Sequence, residues 1–454
     1  MSAVKRETFG SRSAVILTMA GSAIGLGNIW RFPYMVGEHG GGAFIVLYII
    51  STLLISLPVF VAEATLGRRS RTSAYGAMAR LAPGKPFWKS AGILAVIIPT
   101  VIASYYSVIG GWSLEYLFQS ATAAFVRNDP ERVSALFGTF ISSPFRPVAM
   151  HLLFLAACAY IVGRGVKSGI ERFSKITIPI LFVLIVAIAV YSISLPGARA
   201  GVAYLVRPDF SQLTARSFAF AMGQSFYSLS LGMGAIITYG SYVSREENLL
   251  VSSAGTAVSD LLFAILAGFA IMPAVFAAGI EPGAGPGLVF QSIPYVFSVM
   301  GEHLPVISTI VSVVFFVAII VAAMTSLISL LEVGVSYLVE RHGVRRPRAC
   351  MLLFLVCGGV GVLCSLSFGP LAGMKVAGLS LFDLLDWLSS NILLPVLAFL
   401  VVIFVGRVLK REDLCEELSY AHPGNARLFG VVYFLIKWVA PIAVALLFVT
   451  NFIL

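Results

Sequence analysis

Charge is scarce in this chain. Of 454 residues, 11% are Asp, Glu, Lys or Arg, and 21 are acidic, where a soluble domain carries about 25% charged residues. A water-soluble globule is excluded, because so little polar surface could not cover a composition that is 59% hydrophobic. Cysteine and histidine are equally sparse, five of each. Cys350, Cys357 and Cys364 fall seven apart on one helix face, the spacing of packing residues and not of metal ligands. Neither a disulfide framework nor a metal cluster of cysteine and histidine is expected. His39, His151, His303, His342 and His422 are expected in or near loops. No nucleophile and base come together with them, which argues against an enzyme. Also missing is a repeated filter sequence of the kind that builds a channel pore.

What the chain has instead is long apolar runs. They recur at 14–36, 43–66, 91–118, 148–163, 174–195, 216–242, 255–279, 305–338, 349–369, 380–406 and 428–453, each near the length that crosses a hydrocarbon core of about 30 Å. Their length and lack of strict alternation predict helices and not barrel strands. The fold class expected is an all-α polytopic membrane protein with eleven spans in one domain, residues 1–454.

The formal charge of +10 is better explained by topology than by nucleic acid, for which no motif is present. With the N-terminus cytoplasmic, 22 of the 31 basic residues fall on the inside, seven outside and two (Arg31 and Lys437) within spans. That bias predicts a cytoplasmic N-terminus and, from an odd span number, a C-terminus outside. The first apolar run ends in polar and charged residues, not at a small-residue cleavage site, so it is expected to remain as a span.

Two spans break their own pattern. The first contains GSAIGLGNIWRFP, residues 21–33, with three glycines, Asn28, Arg31 and Pro33. Gly21 and Gly25 alone would suit close helix packing. An amide and a cation at that depth are costly unless they face a cavity or a partner. The sixth span repeats the interruption with Gln224, Ser225, Ser228 and Ser230 ahead of Gly232 and Gly234. Two interrupted spans in corresponding positions of two halves point to an inverted-repeat transporter with a midplane site. Unwound backbone there offers carbonyls to a cation and helix N-termini to a carboxylate. Thr325 and Ser326 in span eight and Asp260 in span seven add oxygen at similar depth, the donor type hard cations prefer.

Through GSAIGLGNIWRFPY, GGGAF at 40–44, SYY at 104–106, GQSFYSLSLGMGAIITYGSY at 223–242 and AAMTS at 322–326, nearly the whole chain resembles the neurotransmitter:sodium symporter family and its bacterial amino-acid transporters. The resemblance implies a leucine-transporter-like fold of 5+5 inverted repeats with broken helices 1 and 6: residues 14–195, residues 216–406 and an extra span at 428–453. It implies a sodium-coupled amino-acid symporter in a bacterial plasma membrane, as a monomer or homodimer. An amino-acid sensor that binds without concentrative transport would share the pocket.

Carried over by residue, the resemblance implies a first sodium site at Ala23, Asn28, Ser228 and Asp260, and a second at Gly21, Ile24, Ala322, Thr325 and Ser326. Substrate backbone groups would meet Ala23, Gly25, Gly27, Tyr106, Tyr227, Ser228 and Ser230. The substrate side chain would meet Ser22, Ile102, Tyr106, Tyr227, Met233, Ser326 and Leu330. Chloride-dependent members carry asparagine at the position of Asp260, so transport without chloride is expected. Met233 stands where a bacterial member has phenylalanine, and its flexibility favours larger hydrophobic or aromatic amino acids. The external gate would pair Arg31 with Asp383 or Asp386, and the internal gate Arg6 with Glu340. Phe9 takes a position commonly held by tryptophan. Glu63 is expected to steady the break in span one, and Gly169 with Pro179 to form a hinge in span five.

Overall fold

The computed structural model describes residues 7–127, 130–279, 289–302, 304–419 and 426–453. Arg6, His303 and His422 lie outside the described residues. Among the described residues, nine helices are long and apolar enough to cross a membrane. They are span 2 (Gly42–Ser70), span 3 (Pro86–Ala121), span 4 (Arg146–Gly163), span 5 (Val166–Ser194), span 7 (Leu249–Ala277), span 8 (Pro305–His342), span 9 (Arg346–Leu366), span 10 (Leu381–Val408) and span 11 (Arg427–Thr450). Span 1 is a bent pair, Arg12–Ala23 and Gly27–Glu38, with 54° between its halves. Span 6 is likewise two helices, Ala215–Ser228 and Ala235–Gly240. With span 1 counted as one broken span, ten of the eleven expected spans meet that test among the described residues; span 6 is interrupted where Gly232 and Gly234 fall.

Several helices outrun their apolar cores. Span 5 begins at Val166, not near residue 174, and span 8 reaches His342, not 338. Hydropathy marks only the hydrocarbon crossing; the polar ends stay helical because the helix satisfies their backbone groups. His151, expected near a loop, is fully buried in span 4, its Nε2 3.3 Å from the Gly358 carbonyl of span 9.

The surface of the bundle is apolar and its interior holds the polar groups. Val183, Val190, Leu262, Leu355 and Ile442 are exposed, while Asn28, Glu63, Gln224 and Asp260 are fully buried. Spans 3 and 8 pack along one another, and span 1 lies against spans 7, 8 and 5. Pro99 inside span 3 cannot donate to the carbonyl four residues earlier. That carbonyl, of Ala95, faces Gly234, whose φ of +68° and missing side chain allow the close approach.

Candidate binding site between the broken spans

The first helix of span 1 stops at Ala23 because Ile24 turns to extended backbone with ψ 105°. Gly25 then donates its N–H to Asn28 Oδ1 at 3.0 Å, and Leu26 donates to the Tyr106 hydroxyl at 3.2 Å. The freed donors are satisfied by Asn28 and span 3, and no longer by the helix. Gly25 is tightly enclosed: a side chain there would meet the Ser326 hydroxyl and, at 3.1 Å, the Tyr106 oxygen.

Span 6 unwinds through left-handed backbone at Ser230, Gly232 and Gly234. Its free groups are caught by neighbours. Ser230 Oγ donates to the Ser22 carbonyl at 2.8 Å, and Gly232 N–H donates to Glu63 Oε1 at 2.8 Å. Glu63 thus bonds to the break in span 6: the left-handed turn at Gly232 leaves an N–H without a helical partner, and a carboxylate accepts it strongly.

Between the breaks lies a small cavity. Each residue expected to face the substrate lines it, from Ser22, Ala23, Gly25 and Gly27 of span 1 to Ser326 and Leu330 of span 8. Ile102 and Tyr106 come from span 3, and Tyr227, Ser228, Ser230 and Met233 from span 6. The lining thus combines polar groups of the breaks with the apolar side chains of Ile102, Met233 and Leu330.

Two oxygen clusters flank the cavity. In the first, Asn28 Nδ2 donates to Asp260 Oδ1 at 2.8 Å and to Ser228 Oγ at 3.0 Å, while Ser228 Oγ lies 2.8 Å from both carboxylate oxygens. Tyr48 donates to Asp260 Oδ2 at 3.2 Å, and Gln224 donates to the Gly27 carbonyl at 2.9 Å. In the second, Thr325 Oγ1 lies 2.9 Å from the Ala322 carbonyl and 3.4 Å from that of Ile24. Ser326 reaches the Ser22 carbonyl at 3.4 Å. Gly21 sits on span 5, where a side chain would meet Ser174 Oγ at 3.3 Å and Ile178 at 3.4 Å. Carboxylate, hydroxyl and carbonyl oxygens without sulfur or imidazole fit sodium or another hard cation.

Above the cavity, away from the N-terminus, Arg31 lies over the Tyr227 ring at 5.0 Å. It lines a recess of about 1110 Å³ together with Asp383 and Asp386. The two acids differ in environment. Exposed Asp383 accepts from Ser380 Oγ at 2.6 Å at the start of span 10. Asp386 lies 3.4 Å from Ser390 Oγ, beside Tyr105 and in the field of Arg31.

At the N-terminal end, Phe9 donates its N–H to the Tyr242 carbonyl at 3.0 Å and sets its ring edge-on to Tyr239 and Tyr242. Glu340 accepts from the Ser73 N–H at 2.6 Å. Its expected partner Arg6 lies outside the described residues. The buried acids Glu115, Glu171, Glu332 and Glu417 were not singled out in the sequence. Glu332 takes the Tyr242 hydroxyl at 2.5 Å and both Arg346 Nη atoms, and Glu417 accepts from Arg68 Nε at 2.8 Å. An acid inside the apolar run SLLEVG was the available signal for Glu332. Gly169 falls in the π-helical first turn of span 5, and Pro179 lies inside that span directly after Ile178, which touches Gly21.

The chain has close relatives. It is 36% identical over 448 residues to an uncharacterized sodium-dependent transporter, YhdH, of Bacillus subtilis, with 99% of this chain and 98% of the relative covered. An uncharacterized sodium-dependent transporter of Haemophilus influenzae is 35% identical over 460 residues, covering 98% of each. Among solved structures, MhsT in complex with L-phenylalanine superposes with a TM-score of 0.90 at 41% identity, covering 98% of this chain and 100% of that one. The family model described as "Sodium:neurotransmitter symporter family" matches residues 6–130 and 144–454. Fold, broken spans and sequence agree: the chain belongs to the sodium:neurotransmitter symporter family, and it is a multi-pass membrane transporter and not an enzyme.

Proposed function

We propose that this transporter carries hydrophobic and aromatic L-amino acids together with sodium by alternating access, without a chloride requirement. One observation carries the reading: the two unwound segments are bonded to each other beside a cavity whose lining includes Ile102, Met233 and Leu330. The substrate ammonium and carboxylate would meet the backbone of Ala23, Gly25 and Gly27 with Tyr106, Ser228 and Ser230, and its side chain those apolar residues. The likeness to a structure holding L-phenylalanine supports this substrate class.

Two sodium ions would be co-substrates. Ala23, Asn28, Ser228 and Asp260 would hold one; Gly21, Ile24, Ala322, Thr325 and Ser326 the other. Asp260, which Tyr48 and Ser228 already address, supplies the fixed negative charge that chloride brings in other members. Arg31 and Asp386 would close the outer path, since Asp383 is engaged by Ser380 at an exposed helix start. Arg6 and Glu340 would close the inner one. The bias of basic residues supports a cytoplasmic N-terminus, and the chain would lie in the plasma membrane.

The test is uptake of labelled phenylalanine, leucine, tryptophan and glycine into proteoliposomes under an inward sodium gradient, with gluconate replacing chloride. Accumulation of the three large amino acids driven by sodium, undiminished in gluconate, is expected. Binding without accumulation would indicate a sensor, and preference for glycine would overturn the substrate class.

A further inference from the structure

Spans 10 and 11 meet at the N-terminal end of the molecule around two aromatic rings. Arg407 lies over the Trp438 ring at 4.9 Å, and Arg411 over the Tyr433 ring at 5.5 Å. Lys437 lies over both, 5.3 Å from Tyr433 and 5.8 Å from Trp438. Its ammonium is 3.4 Å from the Tyr433 oxygen, which in turn is 3.4 Å from the Gly406 carbonyl. The spans approach closely because Gly406 has no side chain: a Cβ there would lie 3.0 Å from Lys437 Cα. Three cations therefore converge on two adjoining rings, with exposed Lys410 beside them in sequence.

Among the described residues none of Arg407, Arg411 and Lys437 has a carboxylate within ion-pair distance. The acids of the neighbouring helix Arg411–Ser419 are engaged elsewhere: Asp413 and Glu416 pair with Arg69 at 2.5 and 3.1 Å, and Glu417 with Arg68 at 2.8 Å. Glu412 is exposed and makes no such pair. The rings attract the cations but leave their mutual repulsion in place, and a counter-anion would relieve it.

The setting says which anion. Trp438 is 47% exposed, and along the same span Val431, Phe434 and Ile442 are 54%, 56% and 60% exposed, a face suited to acyl chains. Tyr and Trp belong at the depth where headgroup meets hydrocarbon, and Lys437 reaches along the helix to that depth as snorkelling lysines do. We propose that Arg407, Arg411 and Lys437 bind the phosphate of one anionic phospholipid of the cytoplasmic leaflet, its chains lying along span 11. The leaflet rests on the orientation proposed above; the binding itself does not depend on the transported substrate.

Native mass spectrometry of the intact purified transporter tests this, with dioleoyl phosphatidylglycerol or dioleoyl phosphatidylcholine added. One phosphatidylglycerol is expected to remain bound under activation that strips phosphatidylcholine. The R407Q/R411Q/K437Q variant should lower its retention at least about fivefold, since one basic residue beside an anionic lipid contributes about that factor. Phosphatidylcholine retention should not change. Equal retention of the two lipids, or a triple variant that holds phosphatidylglycerol like the wild type, overturns the proposal. So does displacement of the lipid by inorganic phosphate, which would make the site one for a free anion. Sodium-dependent amino-acid binding reports folding of the triple variant. Should it not fold, R407Q and K437Q singly carry the same test, each expected to lower retention about two- to fivefold.

Discussion

The Ser230 hydroxyl donates to the Ser22 carbonyl oxygen at 2.8 Å, so the unwound stretch of span 6 is bonded directly to that of span 1. Each break frees backbone groups that a membrane interior cannot solvate. Here one break satisfies the other. Ser230 holds left-handed backbone with φ +54°, a conformation that costs a non-glycine residue about 1–2 kcal/mol. The hydrogen bond offsets part of that cost.

Replacing Ser230 with alanine removes the bond and keeps the strain. Apparent amino-acid affinity should fall about two- to tenfold, the range for losing a buried hydrogen bond. Ser230→Gly removes the strain as well, so its melting temperature should lie above that of Ser230→Ala. Equilibrium binding and thermal unfolding of the two variants, side by side, check both effects. Equal melting temperatures would remove the strain account.

Asp260 receives Asn28, Ser228 and Tyr48, three donors that suit a carboxylate and only partly suit an amide. Asp260→Asn deletes the charge and turns one acceptor into a donor. Uptake in chloride-free medium should fall at least about tenfold, a modest loss for one buried charged partner. Chloride should restore part of it. Full activity of Asp260→Asn without chloride would sink the charge-replacement reading.

Gly25→Ala puts a methyl group against the Ser326 hydroxyl, the Tyr106 oxygen at 3.1 Å and Ser326 Cβ at 3.3 Å. Rotating the Ser326 hydroxyl relieves only the first contact. Overpacking of this kind costs about 1–3 kcal/mol, or roughly five- to hundredfold in substrate affinity. Isothermal binding of phenylalanine at saturating sodium measures it. Wild-type affinity would mean that the cavity is looser at this point than its geometry indicates.

How much of this was legible in the sequence depended on the reach of each signal. Both breaks could be read, because Gly25, Asn28, Gly232 and Gly234 are local exceptions in apolar runs. Glu63 was visible as a buried acid, but its partner was not: nothing near it in sequence says that the Gly232 N–H would be free 169 residues away. The Glu332–Arg346 pair joins spans 8 and 9 across a turn, and periodicity is silent about such contacts. Asp383 and Asp386 stand one turn apart with equal claims in the sequence; only their surroundings differ, an exposed helix start for Asp383 and Tyr105 with Arg31 beside Asp386. His151 was misjudged because a polar residue near a span end reads as loop; Gly361 of span 9 makes room for its ring.

His39 lies between spans 1 and 2, stacked on Phe220 at 4.6 Å and Phe44 at 5.6 Å. Burial, and then the nearby Arg216 guanidinium, lower its pKa from the usual value. The folded protein therefore takes up this proton less readily than the unfolded chain. No difference exists well above pH 6.5, and stability should decline as pH falls below about 6.5. A His39→Gln variant should show a smaller decline in melting temperature between pH 7 and pH 5, about the range where histidine titrates. Identical pH profiles would exclude His39 as the source.

Span 5 packs against span 1 at Gly21, one of the residues expected at the second oxygen cluster. Ile178 packs on Gly21, and Pro179, next in the chain, removes a helical hydrogen bond at that level. The helix is thus weakest where it presses on span 1. We expect local opening there to admit water to Gly21, Ile24, Ala322, Thr325 and Ser326, and to let sodium leave inward. Pro179→Ala restores the missing donor and stiffens the span. Substrate binding should be unchanged, because no substrate-facing residue moves, while turnover should slow by roughly tenfold for about 1.4 kcal/mol of added barrier. Gly169→Ala would act differently, pressing a methyl group on the Ile161 carbonyl and loosening the start of the span. Sodium-efflux rates from preloaded proteoliposomes separate the two variants. If both leave efflux and turnover at wild-type rates, span 5 is not the hinge, and inward release must be sought in span 1 itself.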